Sequence, residues 1–253
     1  MQTELILIMG QCGCGKTTTV NRLLDVEWNT CSFTTGTLLP FIKTYQFVGG
    51  MTNEKTFEPY LATRNPKVEL CEGECLFKMK QRLDEEICWD ITSENETDAI
   101  MADNADSVCF VDLMGIGDTL LTNEYYYEIY RAFAREATQI VWITDATSRR
   151  YTEDERCLSE IKRDFVNIKK FVIGVNKSDS ICLDRGERFT EGVPTDKQMD
   201  ALRDRKELVF STFKDVLMPY ELNMDDIVMF SAKTGWNFSA LERKFFIKKG
   251  NLK

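Results

Sequence analysis

No histidine occurs anywhere in the 253 residues. Its absence removes the commonest general base and the commonest metal ligand, so any hydrolysis must be driven by other groups. No apolar run approaches the roughly 20 residues a membrane helix needs. The first such run, "LILIM", is too short for a signal-peptide core and has neither a basic segment before it nor a cleavage pattern after it. A basic excess is also missing. The 32 Lys and Arg stand against 41 Asp and Glu, a net charge of −9, which argues against sequence-independent nucleic-acid binding because a phosphate backbone needs a compensating basic surface. Repeats, low-complexity tracts and Pro/Gly-rich linkers are absent as well. Nine cysteines are present. An odd number leaves at least one thiol unpaired within the chain, so reduced thiols and a cytoplasmic location are the expectation.

What remains is a chain of ordinary globular composition, 43% apolar and 29% charged, long enough for one large domain or two small ones. Short apolar runs alternate with longer helical patterns. The runs are 4–9, 107–113, 139–145, 170–176 and 226–232, and helices are expected near 17–25, 123–137, 153–166, 196–217 and 238–248. This rhythm marks strand-helix-strand units around a parallel sheet, an α/β fold. Capping boxes are expected at Thr152 with Glu155 and at Thr195 with Gln198. Met199, Leu202, Val209, Phe213 and Val216 recur at helical spacing and predict one sheet-facing stripe. Residues 38–106 fit less well: 41–48 reads as a strand, 75–88 as a helix and 92–98 as a polar loop. The stretch reads as an elaborated insertion within one domain.

The densest chemistry lies in "GQCGCGKTTT". Gly10, Gly15, Lys16 and Thr17 match G-x-x-x-x-G-K-[ST], with an apolar strand before and a helix after. Glycines let consecutive N–H groups turn towards phosphate oxygens, and a helix N-terminus adds positive potential. Lys16 suits the charge between β- and γ-phosphates, and the Thr17 hydroxyl suits Mg²⁺. The expected phosphate-binding set is Gly10, Cys12, Gly13, Cys14, Gly15, Lys16, Thr17 and Thr18. Cys12 and Cys14 occupy positions where the backbone does the binding, so they read as fillers; a redox switch is the alternative, since thiols at helix N-termini have lowered pKa values. Zinc is disfavoured, because Cys71 and Cys75 lack a second pair at ligand spacing.

Three companions follow in order, each just past a predicted strand. In "FVDLMGIGD", Asp112 suits a carboxylate holding Mg²⁺ through water, and Gly115 suits an N–H meeting the γ-phosphate. In "GVNKSD", Asn176, Lys177 and Asp179 form N-K-x-D, whose carboxylate accepts two hydrogen bonds from guanine and rejects adenine, which lacks that donor pair. In "FSAKTG", Ser231, Ala232 and Lys233 suit a backbone N–H aimed at guanine O6. GTP or GDP with Mg²⁺ is the cofactor set these imply.

With these residues the sequence resembles the translation-factor class of P-loop GTPases with an Era-like G domain. The nearest likeness is to bacterial GTPases of the YfjP/YeeP type, with a further likeness to immunity-related GTPases. It rests on "DLMGIGDT", "IVWITDATSRRYTEDERCLSEI", "FVIGVNKSD" and "FSAKTGWNFSAL", and does not cover 45–105. The resemblance implies a single G domain over 1–253, with 38–106 as an elaborated first switch. Its fold would be a P-loop NTPase three-layer sandwich: a mostly parallel six-stranded sheet, one edge strand antiparallel, helices on both faces. It also implies a first-switch threonine on Mg²⁺ that senses the γ-phosphate. Thr37 suits the Gly-Thr pattern and Thr35 the usual distance from the lysine; Thr37 is preferred, and with Lys16 it forms the expected catalytic pair. The expected metal ligands are Thr17, Thr37 and Asp112.

Two departures matter. Met114 stands where the motif usually has proline, and Ile116 stands where many small GTPases carry the glutamine that orients the attacking water. Slow intrinsic hydrolysis is therefore expected, assisted by potassium, a partner, a dimer contact or a backbone-held water. Asp118 is a polar candidate nearby, and Arg149 and Arg150 read as a solvated loop pair, with a charge-stabilising finger as the alternative. Era carries an RNA-binding domain after its G domain, whereas this sequence ends at Lys253, so ribosomal RNA is not an expected partner. The basic tail 242–253 reads as the end of a final helix, with a peripheral membrane contact as the lesser reading. Trp236 and Phe238 are expected to pack beneath that helix. The leading function is a GTP-hydrolysing switch with a protein effector at its switch loops. The alternatives are a non-hydrolysing GTP-dependent assembly module, dimerising through the nucleotide face, and an ATP-using kinase or ATPase.

Overall fold

A computed structural model describes residues 3–24, 41–48, 51–56, 100–102, 107–113, 115–116, 127, 130–131, 133–181, 189, 192–244 and 247–249. Nine strands are described: β1 (Thr3–Gly10), β2 (Phe41–Val48), β3 (Met51–Thr56), β4 (Ile100–Ala102), β5 (Ser107–Asp112), β6 (Gln139–Asp145), β7 (Lys170–Asn176), β8 (Ile227–Met229) and β9 (Ile247–Lys249). The helices are α1 (Lys16–Leu24), α2 (helical residues within 127–136), α3 (Thr152–Ile161), α4 (Asp196–Val216) and α5 (Phe238–Glu242).

Seven strands form one sheet in the order β3-β2-β5-β1-β6-β7-β8. β5, β1, β6, β7 and β8 run parallel, while β2 is antiparallel to both β5 and β3. The mostly parallel α/β sandwich expected from the sequence is thus the observed fold. It has one strand more than the six expected. The addition, "MTNEKT" at 51–56, has no apolar alternation to announce it and exists as a strand through its hairpin pairing, Lys43 to Thr56 and Val48 to Met51.

Period-two alternation along the central strands sorts the core onto two faces. Leu5, Leu7, Met9, Val111, Ile140 and Trp142 pack with Tyr130, Phe133, Leu158, Leu202, Val209 and Phe213, which places α2, α3 and α4 on one side. Ile6, Ile8, Phe110, Val141, Ile143, Val172 and Phe230 pack with Val20, Leu23, Phe238 and Leu241, which places α1 and α5 on the other. Each such side chain contributes about 1.5–3 kcal/mol when fully buried. That explains why α1 forms although its first turn, "KTTT", is rich in β-branched threonine: tertiary burial of Val20 and Leu23 outweighs weak propensity.

Several local expectations are corrected. Thr152 does not cap α3; the N-cap is Tyr151, without a side-chain capping bond. Tyr151 is buried and anchors the entry, while Glu153, Asp154 and Glu155 in the first turn meet the helix dipole. The expected 153–166 helix gives way to a 3₁₀ turn at Lys162–Asp164. The Thr195–Gln198 box is present, with Thr195 N–H donating to Gln198 Oε1 at 2.8 Å and Gln198 N–H to Thr195 Oγ1 at 3.3 Å. Met199 leaves the predicted stripe and is 45% exposed, because at 100° per residue it sits about 60° from Leu202. β8 is shorter than expected: Asp226 belongs to a 3₁₀ turn, and 230–232 leave the ladder to build a loop. α5 ends at Glu242, and Ile247–Lys249 pairs antiparallel with Ile100–Ala102, so the ladder, and not a helix, satisfies that backbone. The expected helix at 75–88 and loop at 92–98 lie outside the described residues.

Candidate functional site

Register brings the motif residues to one edge. Ile8 lies beside Asp112, Gly10 beside Ile143, and Asp145 beside Asn176. The glycine-rich loop therefore leaves β1 at the carboxyl ends of the parallel strands, where crevices of open α/β sheets form.

The loop at 10–15 is shaped by backbone that only glycine tolerates. Gly10 has φ +142°, and a Cβ there would lie 2.1 Å from the Ile143 carbonyl oxygen; at Gly15, φ +93°, a Cβ would lie 2.2 Å from Asn176 Nδ2. α1 opens at Lys16, so Lys16, Thr17 and Thr18 form the first turn, whose N–H groups have no intrahelical acceptor. Lys16 is 5% exposed, and its ammonium donates to the Gln11 carbonyl at 2.8 Å; among the described residues no carboxylate forms an ion pair with it. A buried ammonium whose partner among the described residues is a carbonyl is suited to an incoming anion. Cys12 is half-buried, Gly13 is exposed and Cys14 is buried. Burial pushes the Cys14 thiol up to about 11, opposite to the lowered pKa that the redox alternative requires.

Beside the lysine, Thr17 Oγ1 donates to Asp112 Oδ2 at 2.7 Å. The other oxygen, Asp112 Oδ1, is buried with no hydrogen-bond partner. Desolvation raises the Asp112 carboxyl from 3.8 to about 6, against the lowering effects of Lys16 and the Thr17 hydroxyl. A buried orphan carboxylate oxygen next to a hydroxyl is a hard-oxygen donor pair that fits Mg²⁺. Thr35 and Thr37, the two expected first-switch ligands, lie outside the described residues, as does Asp118.

The segment after Asp112 lies on the loop. Ile116 pairs with Gln11 as an isolated parallel bridge; Cys12 N–H donates to Ile116 O at 2.8 Å and Ile116 N–H to Gly10 O at 3.4 Å. Gly115 is required for this approach, since a Cβ there would fall 2.5 Å from Cys12 Cα. The Ile116 side chain is 1% exposed within the core.

The other end of the crevice is joined by one side chain. Asn176 Nδ2 donates to Cys14 O, and Asn176 Oδ1 accepts from Ala232 N–H, both at 2.9 Å. Asn176 thereby ties the glycine-rich loop to the 230–235 loop. Lys177 adopts φ +59° and its ammonium meets Asp145 Oδ2 at 2.6 Å. Asp179 sits in the 3₁₀ turn Ser178–Ser180, partly exposed and with no hydrogen-bond partner among the described residues. Ser231 N–H donates to Trp236 O and its hydroxyl accepts from Thr234 N–H. With the Ser231 and Ala232 amides used by the fold, Lys233 carries the remaining amide of that trio, and its side chain is exposed. Phe238 packs edge-on against Phe230, and Trp236 against Phe189. Arg149 and Arg150 are exposed, as a solvated pair would be.

Sequence reasoning missed three supports: Asp145, which holds Lys177; Arg22, which donates to the Ala232 carbonyl at 3.1 Å; and Asp154, which reaches Gln11 from α3. None carries a local signal, because each partner comes from a distant strand or helix. Among the described residues no cluster of three or more His, Cys, Asp or Glu is placed to hold a metal, and no helix is long and apolar enough to cross a membrane.

No protein-family model matches the sequence, and no curated protein matches it. Solved structures do resemble the fold. Aquifex aeolicus Era bound to GDP·AlF4⁻ superposes with a TM-score of 0.54 at 17% identity, over 99% of this chain and 59% of that one. Era in complex with MgGDPNP and a 16S ribosomal RNA segment gives 0.51 at 17% identity, over 100% and 59%. Arabidopsis thaliana Toc33 in complex with GDP and Mg²⁺ gives 0.54 at 12% identity, over 97% and 84%. The chain spans about three fifths of the length of the Era chains it matches. Its fold is the α/β P-loop NTPase fold that these structures share.

Proposed function

We propose that this chain is a GTP-binding G domain that hydrolyses GTP to GDP and phosphate as a molecular switch. The observation that carries the reading is Asn176, a single buried amide that holds the glycine-rich loop and the 230–235 loop at a fixed separation, with Lys16 at one end and Asp179 at the other. Phosphates would lie on the amides of the 10–18 turn against Lys16. Guanine would meet the open Asp179 carboxylate through N1–H and N2–H, with the Lys177 stem along its face and the Lys233 amide towards O6. Thr17 and Asp112 would hold Mg²⁺, which supplies charge neutralisation on the phosphate oxygens when bound, and Thr37 or Thr35 would complete the metal and γ-phosphate contacts. In this reading residues 1–253 form one G domain, 38–106 belong to its first switch, and the finer affinity is with YfjP/YeeP-type or immunity-related GTPases.

Hydrolysis is proposed to be slow without assistance. Ile116 offers no polar group to orient water, and its side chain is buried. A partner or a second copy across the nucleotide face would supply the missing group; one of the Toc33 structures is of a dimerization-deficient mutant, so dimerization is a property of that protein. The same isoleucine favours the second reading, a GTP-dependent assembly module that does not turn over. RNA is not proposed as a partner, given the net charge of −9. A cytoplasmic location and a protein effector at the switch loops are part of the proposal.

The test is binding first and turnover second. A fluorescent GDP or GTP analogue with Mg²⁺ should bind, GTP should displace it and ATP should not. Single-turnover phosphate release without a partner should stay below about 0.01 s⁻¹. Displacement by ATP in preference to GTP would overturn the base assignment, and fast unassisted release would overturn the assigned consequence of Ile116.

A further inference from the structure

One buried carboxylate reaches the glycine-rich loop from α3, and its hydrogen bonds go to residues outside those assigned to nucleotide. Asp154, on α3, is 1% exposed. Its Oδ1 accepts the Trp142 indole N–H at 2.7 Å, and its Oδ2 accepts the Gln11 side-chain amide at 2.6 Å. Among the described residues no lysine or arginine forms an ion pair with it. Its neighbours Glu153 and Glu155 meet the helix dipole from the first turn without full burial, so the dipole does not explain why this acid is turned inward. The cost shows in its ionisation: desolvation lifts it from 3.8 to about 7, despite both hydrogen bonds and the charge of Lys16.

What that cost obtains is control of Gln11. The Gln11 carbonyl receives the Lys16 ammonium at 2.8 Å, and the Gln11 backbone seats Ile116 as a parallel bridge. Fixing the side chain of Gln11 therefore fixes the acceptor that aims Lys16 and the ledge on which 115–116 lies. The Tyr130 hydroxyl, donating to Gly10 O at 3.4 Å, ties the preceding residue to α2. We propose that Asp154 is a positioning residue of the phosphate loop, which clamps Gln11 from α3 and through it sets Lys16 and the 115–116 segment. The inference rests on the nucleotide-binding reading above.

The chemistry of the clamp defines its test. Asparagine at this position keeps both contacts: its Oδ1 accepts the indole N–H, and its Nδ2 donates to Gln11 Oε1 once that amide turns over. Alanine leaves the indole and the glutamine unpaired. Affinity for a fluorescent GTP analogue with Mg²⁺ is measured for the wild type, Asp154→Ala, Asp154→Asn, Gln11→Ala and the Asp154→Ala/Gln11→Ala double variant, with thermal unfolding of each. Asp154→Ala and Gln11→Ala should each weaken binding about tenfold. The double variant should be no weaker than Asp154→Ala, because both changes remove one interaction, and Asp154→Asn should stay within about twofold of the wild type. Wild-type affinity in Asp154→Ala, losses that multiply in the double variant, or an Asp154→Asn as impaired as the alanine would each overturn the clamp. If Asp154→Ala does not fold, Gln11→Ala decides: tenfold weaker binding supports the clamp, and wild-type affinity overturns it. A wild type that binds no guanine nucleotide would overturn both this inference and the functional reading, whereas the variant results bear on the clamp alone.

Discussion

The two ends of the crevice are built on opposite principles. At the phosphate end the charged groups are inside: Lys16, Asp112 and Asp154 are 5%, 0% and 1% exposed. At the base end the charges stay near water: the Lys177 and Asp145 side chains are 42% and 24% exposed, and Asp179 is partly exposed. Desolvation is costly in the apo protein at the first end and slight at the second. In the proposed reading the first end grips a highly charged anion through Lys16 and the loop amides, with Asp112 facing a cation. In the same reading the second adds little affinity and reads hydrogen-bond pattern, so selectivity and strength would be separable.

The contrast is broken most severely at Lys16. Lys16→Ala leaves the loop amides without their ammonium and should cost about 3–5 kcal/mol of triphosphate binding, read by titration with a fluorescent GTP analogue. A loss as small as tenfold would mean that the buried end does not carry the affinity.

Proton linkage comes next. Asp154 and Asp112 ionise in the fold at about 7 and about 6, against 3.8 in the open chain. Their folded pKa values are raised, so the stabilisation from carrying a proton is complete below about pH 4 and is lost as pH rises through 6 to 7. Asp154→Asn does not titrate and should gain roughly 2–3 kcal/mol relative to the wild type between pH 5 and pH 8, measured by denaturant unfolding without nucleotide. A pH-independent difference would refute the uncompensated burial.

At the base end the effects are selective. Asp179→Asn should lower the preference for GTP over ATP by about a hundredfold while Mg²⁺-dependent phosphate contacts persist; unchanged selectivity would remove its assigned role. The smallest effect belongs to Asp145→Asn, which releases a half-exposed ammonium. It should change affinity by less than about 1 kcal/mol, and less still at high salt. A larger loss would mean that Lys177 contributes to the grip on a par with Lys16.

Much of this arrangement is legible in the chain. The turn at Gly10 and Gly15 and the helix start at Lys16 are announced by their spacing, because a turn of amides needs glycine wherever φ is positive or a neighbour lies within van der Waals distance. β6 and β7 begin and end where their apolar runs do, since strands buried on both faces read as continuous hydrophobic segments. The misses share a cause. Strand β3, with "MTNEKT", is polar and depends on its hairpin partner. Thr152 has a capping pattern, but Tyr151 finds a buried seat. Asp154 looks like one more acid in "TEDER", and only the packing of α3 against β6 turns it to Trp142 and Gln11.

The sequence by itself determined where the chemically distinctive groups stand: the Lys16 ammonium after its glycines, the Asp112 and Asp179 carboxylates after their strands, and their order along alternating strands and helices. Those assignments depend on local backbone conformation and short-range pattern, which a linear chain displays. The tertiary structure alone decided which of these charges are stripped of water and which side chains from elsewhere brace them. Desolvation and the pairing of Asn176, Asp145 and Asp154 depend on residues 12 to 162 positions apart, a distance that no spacing rule spans.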